Sequence, residues 1–142
     1  MTVDSLLEEV RRYGSELSLD GDKLIVKEAY KLPRSLIEQL KLNKHKFIKT
    51  LRNDELAKKA EFIIGVSGLL YEYTLNKHSS LYLEQLNKKW FVWRETYQRH
   101  RSEAINSKVI ESGNEFEYVL LKAKKYIKFV QDKASICFKS NR

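Results

Sequence analysis

Between Gly14 and Pro33 the chain changes its hydrophobic period, and no other feature limits its fold as much. Leu17 and Leu19 alternate with Glu16 and Ser18, Asp20-Gly21 supplies a turn, and Leu24 and Val26 alternate with Lys23 and Lys27. This pattern predicts a β-hairpin with one apolar face. An isolated hairpin is marginal in water, so the flanking segments have to cover that face. Both flanks read as helical. Before the hairpin, Leu6, Leu7 and Val10 form an apolar stripe, capped by Asp4 or Ser5 and stopped by Gly14. After it, Pro33 opens a run that places Leu36, Ile37, Leu40, Phe47, Ile48 and Leu51 at helical spacing, with Asn43 dividing the run into two short helices. The expected module, residues 1–52, is helix, hairpin, helix and helix around one small core.

From residue 55 to the end only helical spacing is evident. Ala60, Ile63, Ile64, Ser67, Leu70 and Tyr73 form one stripe; Leu83, Leu86, Trp90, Trp93 and Tyr97 form a second; Phe116, Leu120, Ala123, Ile127, Val130 and Ala134 form a third. Breaks fall at residues 76–80 and 112–114. The expected fold class is α+β and mostly helical, with an antiparallel bundle of about three helices over residues 55–142. Gly65 and Gly68 then sit inside the first of these helices, where glycine costs roughly 0.8–1.0 kcal/mol relative to alanine. A close contact with another helix, within the bundle or in a homodimer, would offset that cost.

Charge narrows the partners without choosing one. The 142 residues carry 27 Lys plus Arg and 19 Asp plus Glu, a net charge of +8, which favours an acidic peptide, nucleic acid or an anionic surface. Residues 1–54 hold 11 basic and 9 acidic side chains against 16 and 10 in residues 55–142, so most of the excess lies in the second half. One cysteine, Cys137, excludes an intramolecular disulfide framework and fits a reducing cytoplasm. The acidic start of the chain is unlike a signal peptide, and no apolar run reaches the roughly 18 residues of a membrane span. A cytoplasmic protein without a membrane segment is expected.

The first half resembles the TubC-type N-terminal docking domain, found on nonribosomal peptide synthetase subunits and in some bacterial mobile-element proteins. The resemblance rests on LLEEVRRYG, ELSLDGDKLIV and LPRSLIEQLKLNKHKFIKTLR, in that order and spacing. Leu17, Leu19, Asp20, Gly21, Asp22 and Leu24 match the hairpin pattern, and Leu40, Lys44, Phe47, Ile48 and Leu51 match the helical one. It covers residues 4–52 and departs from the family at residues 28–31, where EAYK replaces a Pro/Gly-containing loop. What the resemblance implies is a protein-protein interaction module that receives a short acidic segment of a partner as an added strand. Strand addition takes affinity from main-chain bonds and specificity from side chains beside the edge. The receiving edge would be Lys23 to Lys27, with Lys23 and Lys27 pairing acidic side chains, Ile25 as an apolar contact, and Lys44 and Lys46 adding charge nearby. A free-standing phage or mobile-element adaptor or inhibitor is the corresponding biological expectation.

The rival class is a nucleic-acid-binding accessory protein. In WFVWRETYQRHR and KAKKYIKF, the residues Arg94, Arg99, Arg101, Lys124 and Lys125 could contact phosphates. Trp90, Trp93 and Tyr97 share a stripe with Leu83 and Leu86, which favours a core role over base stacking. No zinc finger, groove-entering or RNP-type motif accompanies the basic residues. An enzyme is not expected. His45, His78 and His100 form no metal-binding pair, Cys137 reads as a small buried residue, and no nucleophile elbow, P-loop or dinucleotide fingerprint occurs. No cofactor and no metal are expected.

Overall fold

The computed structural model describes residues 2–97 and 104–134, and the chain divides into two compact units, Met1–Leu70 and Tyr71–Arg142. The first begins with helix α1 (Val3–Arg12), strands β1 (Glu16–Asp20) and β2 (Lys23–Lys27), and a 3-10 turn at Ala29–Lys31. Helices α2 (Arg34–Leu42) and α3 (Lys44–Lys59) and strand β3 (Ile63–Val66) follow. The remaining elements are β4 (Leu70–Asn76), β5 (Ser79–Leu86), β6 (Lys89–Tyr97), β7 (Ala104–Gly113) and α4 (Phe116–Ala134). Arg99, His100, Arg101 and Cys137 lie outside the described residues.

Local chemistry sets the boundaries of the first unit. Thr2 caps α1 by accepting the Ser5 N–H at 3.1 Å, two positions before the expected Asp4 cap and three before Ser5. Gly14, at φ +77°, lets the chain leave α1 in the left-handed conformation that a side chain disfavours. Asn43 ends α2, where its Nδ2 donates to the Gln39 carbonyl at 2.8 Å, and α3 starts at the next residue. β1 and β2 pair antiparallel with Leu17 opposite Val26 and Leu19 opposite Leu24, so the apolar alternation becomes one face. That face packs on a core of Leu6, Leu7, Val10, Leu32, Leu36, Leu40 and Phe47. α3 continues unbroken through Asn53 and Asp54, both buried.

The expected helical bundle is not what the second half forms. β3 to β7 build a five-stranded antiparallel sheet in the order β3-β4-β5-β6-β7, and of the three anticipated helices only α4 exists. The stripe from Leu83 to Tyr97 is split by a two-residue hairpin turn, since Leu86 pairs with Lys89 and leaves Asn87 and Lys88 at φ +50° and +65°. No right-handed helix accommodates such residues. Burial instead follows period two: Leu81 and Leu83 on β5 and Trp90 and Val92 on β6 are buried, and α4 packs on β5, β6 and β7. Tyr71, Trp90 and Phe116 close this core, with Trp90 edge-on to Phe116 at 4.8 Å between ring centroids.

Gly65 and Gly68 are corrected with it. Gly65 lies in β3 and Gly68 in the turn after it, at φ +74°, with its N–H donated to the buried Asp54 carboxylate at 2.9 Å. A Cβ on Gly68 would stand 2.8 Å from the Thr50 side chain. Gly68→Ala is therefore expected to lower stability by about 1–3 kcal/mol in denaturant unfolding, through backbone strain and the Thr50 clash. Lys88→Gly should raise it by about 0.5 kcal/mol, the excess of left-handed strain over the entropy of glycine. A helix through Lys88 would reverse the direction expected for Lys88→Gly.

Candidate docking groove

β2 is paired on one side by β1, and among the described residues no strand pairs with its other edge. Leu24 and Val26 point toward the core, where they meet α2. Between them lies a groove of about 260 Å³, lined by Leu24, Val26, Ala29, Ile37, Leu40, Lys41 and Lys44. That volume is below the roughly 300–1,000 Å³ of small-molecule pockets and suits one or two apolar side chains. Helical spacing assembles one wall, because Ile37, Leu40, Lys41 and Lys44 recur at i, i+3, i+4 and i+7 across the α2–α3 junction. Leu40 is buried, Ile37 half-buried, and Lys41 and Lys44 exposed. Neither lysine forms an ion pair with a described residue.

The EAYK segment closes the near end of the groove. Glu28 takes the left-handed conformation at φ +54°, the conformation a glycine would adopt most cheaply, and the 3-10 turn that follows brings Ala29 into the lining. The Glu28 carboxylate meets the Lys31 ammonium at 2.7 Å, and this hydrogen bond, then the charge of Lys31, holds the carboxyl below its ordinary value. The pair favours the fold above the usual carboxylate range and is lost as pH falls through the lowered value. Ser15, buried beside the hairpin, donates its hydroxyl to the Lys27 carbonyl and fixes the end of β2.

Of the residues anticipated as partner-binding, Lys44 lines the groove. Lys23, Ile25 and Lys27 share the opposite, exposed face of β2, where their register partners on β1 are Asp20, Ser18 and Glu16. Carboxylates directly across the strand offset part of the positive potential of Lys23 and Lys27. Lys46 is exposed on α3 away from the lining. Ile37, Leu40 and Lys41 are the wall residues that sequence reading omitted, although the helical spacing that carries Lys44 also carries them.

In the second unit Arg94 is on β6, not at a helix end, and it faces α4. Its Nη1 donates to the Tyr126 hydroxyl and its Nη2 to the Ser79 hydroxyl, each at 2.9 Å, while its Nε is buried with no hydrogen-bond partner among the described residues. Lys124 and Lys125 are exposed on α4, and Arg99 and Arg101 fall outside the described residues. On the face of the sheet away from α4, Tyr82 stacks on Trp93 at 4.4 Å and donates to Glu72 at 3.0 Å. Burial, then the hydrogen bonds to Tyr97 and Glu72, pushes the Tyr82 phenol well above its ordinary value and keeps it neutral. Among the described residues no three His, Cys, Asp or Glu side chains cluster as metal ligands, and no helix is long and apolar enough to cross a membrane.

Comparisons with protein-family models, with curated proteins and with solved structures find no match to the chain.

Arg94→Met should lower stability by about 1–2 kcal/mol, because it removes two charged hydrogen bonds that tie β5 and β6 to α4. Thermal unfolding of the full chain checks this; an unchanged midpoint would mean that Arg94 is not a structural tie.

Proposed function

We propose that the first unit is a protein-docking module that takes an extended, acidic segment of a partner along the free edge of β2. The observation that carries the reading is the apolar groove beside that edge, rimmed by two exposed lysines. An added strand pairs its backbone with the edge, and every second side chain then points to the same side. Apolar residues of the segment fill the space over Leu24, Val26 and Leu40. Carboxylates at other positions of that same side meet Lys41 and Lys44. Positioning by main-chain bonds makes such a site tolerant of sequence apart from charge and the apolar spacing, which suits an adaptor or an inhibitor that competes for a surface.

The reading is tested with a labelled peptide in which Leu and Asp alternate along every second position and Thr fills the rest, and a second with Lys in place of Asp, titrated with the full chain by fluorescence anisotropy. The acidic peptide should bind and the basic one should not. Lys41→Glu combined with Lys44→Glu should weaken binding at least about 10-fold, the equivalent of about 1.4 kcal/mol. Lys124→Glu with Lys125→Glu should leave it unchanged. Equal binding of both peptides, or indifference to Lys41 and Lys44, overturns the docking site.

A further inference from the structure

The second unit presents two outward faces of opposite chemistry. Because Leu83 pairs with Val92 and Gln85 with Trp90, the residues that alternate with these on β5 and β6 point away from α4. They include the stacked pair Tyr82 and Trp93, together with Glu84 and Glu95, and Glu72 joins them through its bond to the Tyr82 hydroxyl. Val109, the register partner of Trp93 on β7, is 60% exposed there. No carboxylate of this face is in an ion pair with a described residue. The single described cation on it is Lys89, at the start of β6 over the Phe91 ring.

The outer side of α4 is the counterpart. Tyr118, Leu121 and Phe129 are 45%, 50% and 53% exposed, a run of large apolar side chains that the unit's own core does not use. Lys124, Lys125 and Lys128 lie exposed among them, with Lys122 and Lys133 over the Tyr118 and Phe129 rings, and outnumber the exposed Glu117 and Asp132 of the same helix. Exposed apolar surface rimmed by charge marks an interaction site. The two faces also agree in length, since 19 helical residues span about 28 Å and nine strand residues about 30 Å.

We infer that the partner of the acidic, aromatic sheet face is the basic outer face of α4 on a second copy of this chain. Tyr118, Leu121 and Phe129 would pack on Trp93, Tyr82 and Val109, and the three lysines would meet Glu72, Glu84 and Glu95. Ammonium groups against aromatic rings add to the pairing. The two faces are different surfaces on opposite sides of one sheet-and-helix layer, so the contact is heterologous. Each added copy leaves one face of either kind free, and growth proceeds past the dimer unless a ring closes.

Sedimentation velocity of the full chain tests this up to about 100 μM, where a contact of micromolar strength is populated. The mass should rise with concentration beyond a dimer and fall back as salt is added. Glu84→Lys with Glu95→Lys makes both faces basic, and Lys124→Glu with Lys125→Glu makes both acidic. Each variant alone should be monomeric, with circular dichroism reporting an unchanged fold, and a 1:1 mixture should associate again. Lys41→Glu with Lys44→Glu should self-associate like the unsubstituted chain, which separates this contact from the docking groove. A chain that stays monomeric at the highest concentration overturns the inference, as does a mixture that fails to associate. A monomer that instead binds an oligoarginine peptide through Glu84 and Glu95 also overturns it and assigns the face to a basic segment of another protein.

Discussion

The packing of one hairpin face on the Leu6, Leu36, Leu40 and Phe47 core is the contact on which the first unit depends. Two five-residue strands do not persist in water, so β1 and β2 exist because Leu17, Leu24 and Val26 pack on the core that α1, α2 and α3 supply. The same contact creates the groove. Leu24 and Val26 are at the margin of the core, half-buried, and the space they leave beside Ile37 and Leu40 is apolar because it is the core's own edge. Docking, on this account, extends a hydrophobic core by one strand.

The two halves differ in how their charge is disposed. Around β2, acidic and basic residues alternate across the hairpin, so Lys23 and Lys27 are matched by Asp20 and Glu16, whereas Lys41 and Lys44 stand at a helix junction with no described partner. In the second unit, basic residues collect on the outside of α4 and acidic ones on the far face of the sheet. A net charge of +8 therefore conceals an acidic surface. Self-association through these faces rests on charge complementarity and exposed apolar area, independently of what the groove captures.

The helices and hairpin of residues 1–52 were legible in the sequence because each of their signals is unambiguous: a period-two run broken at Asp20-Gly21, a glycine after α1, a proline before α2. The sheet was not, and Leu83, Leu86, Trp90, Trp93 and Tyr97 show why. Steps of three and four residues describe a helix, but here the step from Leu86 to Trp90 spans a turn, and on β6 Trp90 faces α4 while Trp93 and Tyr97 share the opposite face. Strand β6 has Phe91 and Trp93 on its open face, which hides the polar half of a period-two pattern. The informative signals were the aromatic and β-branched content of residues 79–97 and the polar pair Asn87-Lys88, a two-residue turn without the glycine that would have marked it. In the candidate groove, Lys44 shares its helical spacing with Ile37, Leu40 and Lys41, but the sequence does not show which face of that run borders β2, because the inward-facing Leu24 and Val26 complete the lining only in the fold.

Amide hydrogen exchange resolved residue by residue, with and without a saturating acidic, leucine-containing peptide, tests the central claim most directly. Strand addition predicts slowed exchange within Lys23 to Lys27, with little change in β1, whose partner strand is already in place. Unchanged exchange in β2, with protection appearing on α4 or on the sheet instead, would contradict it.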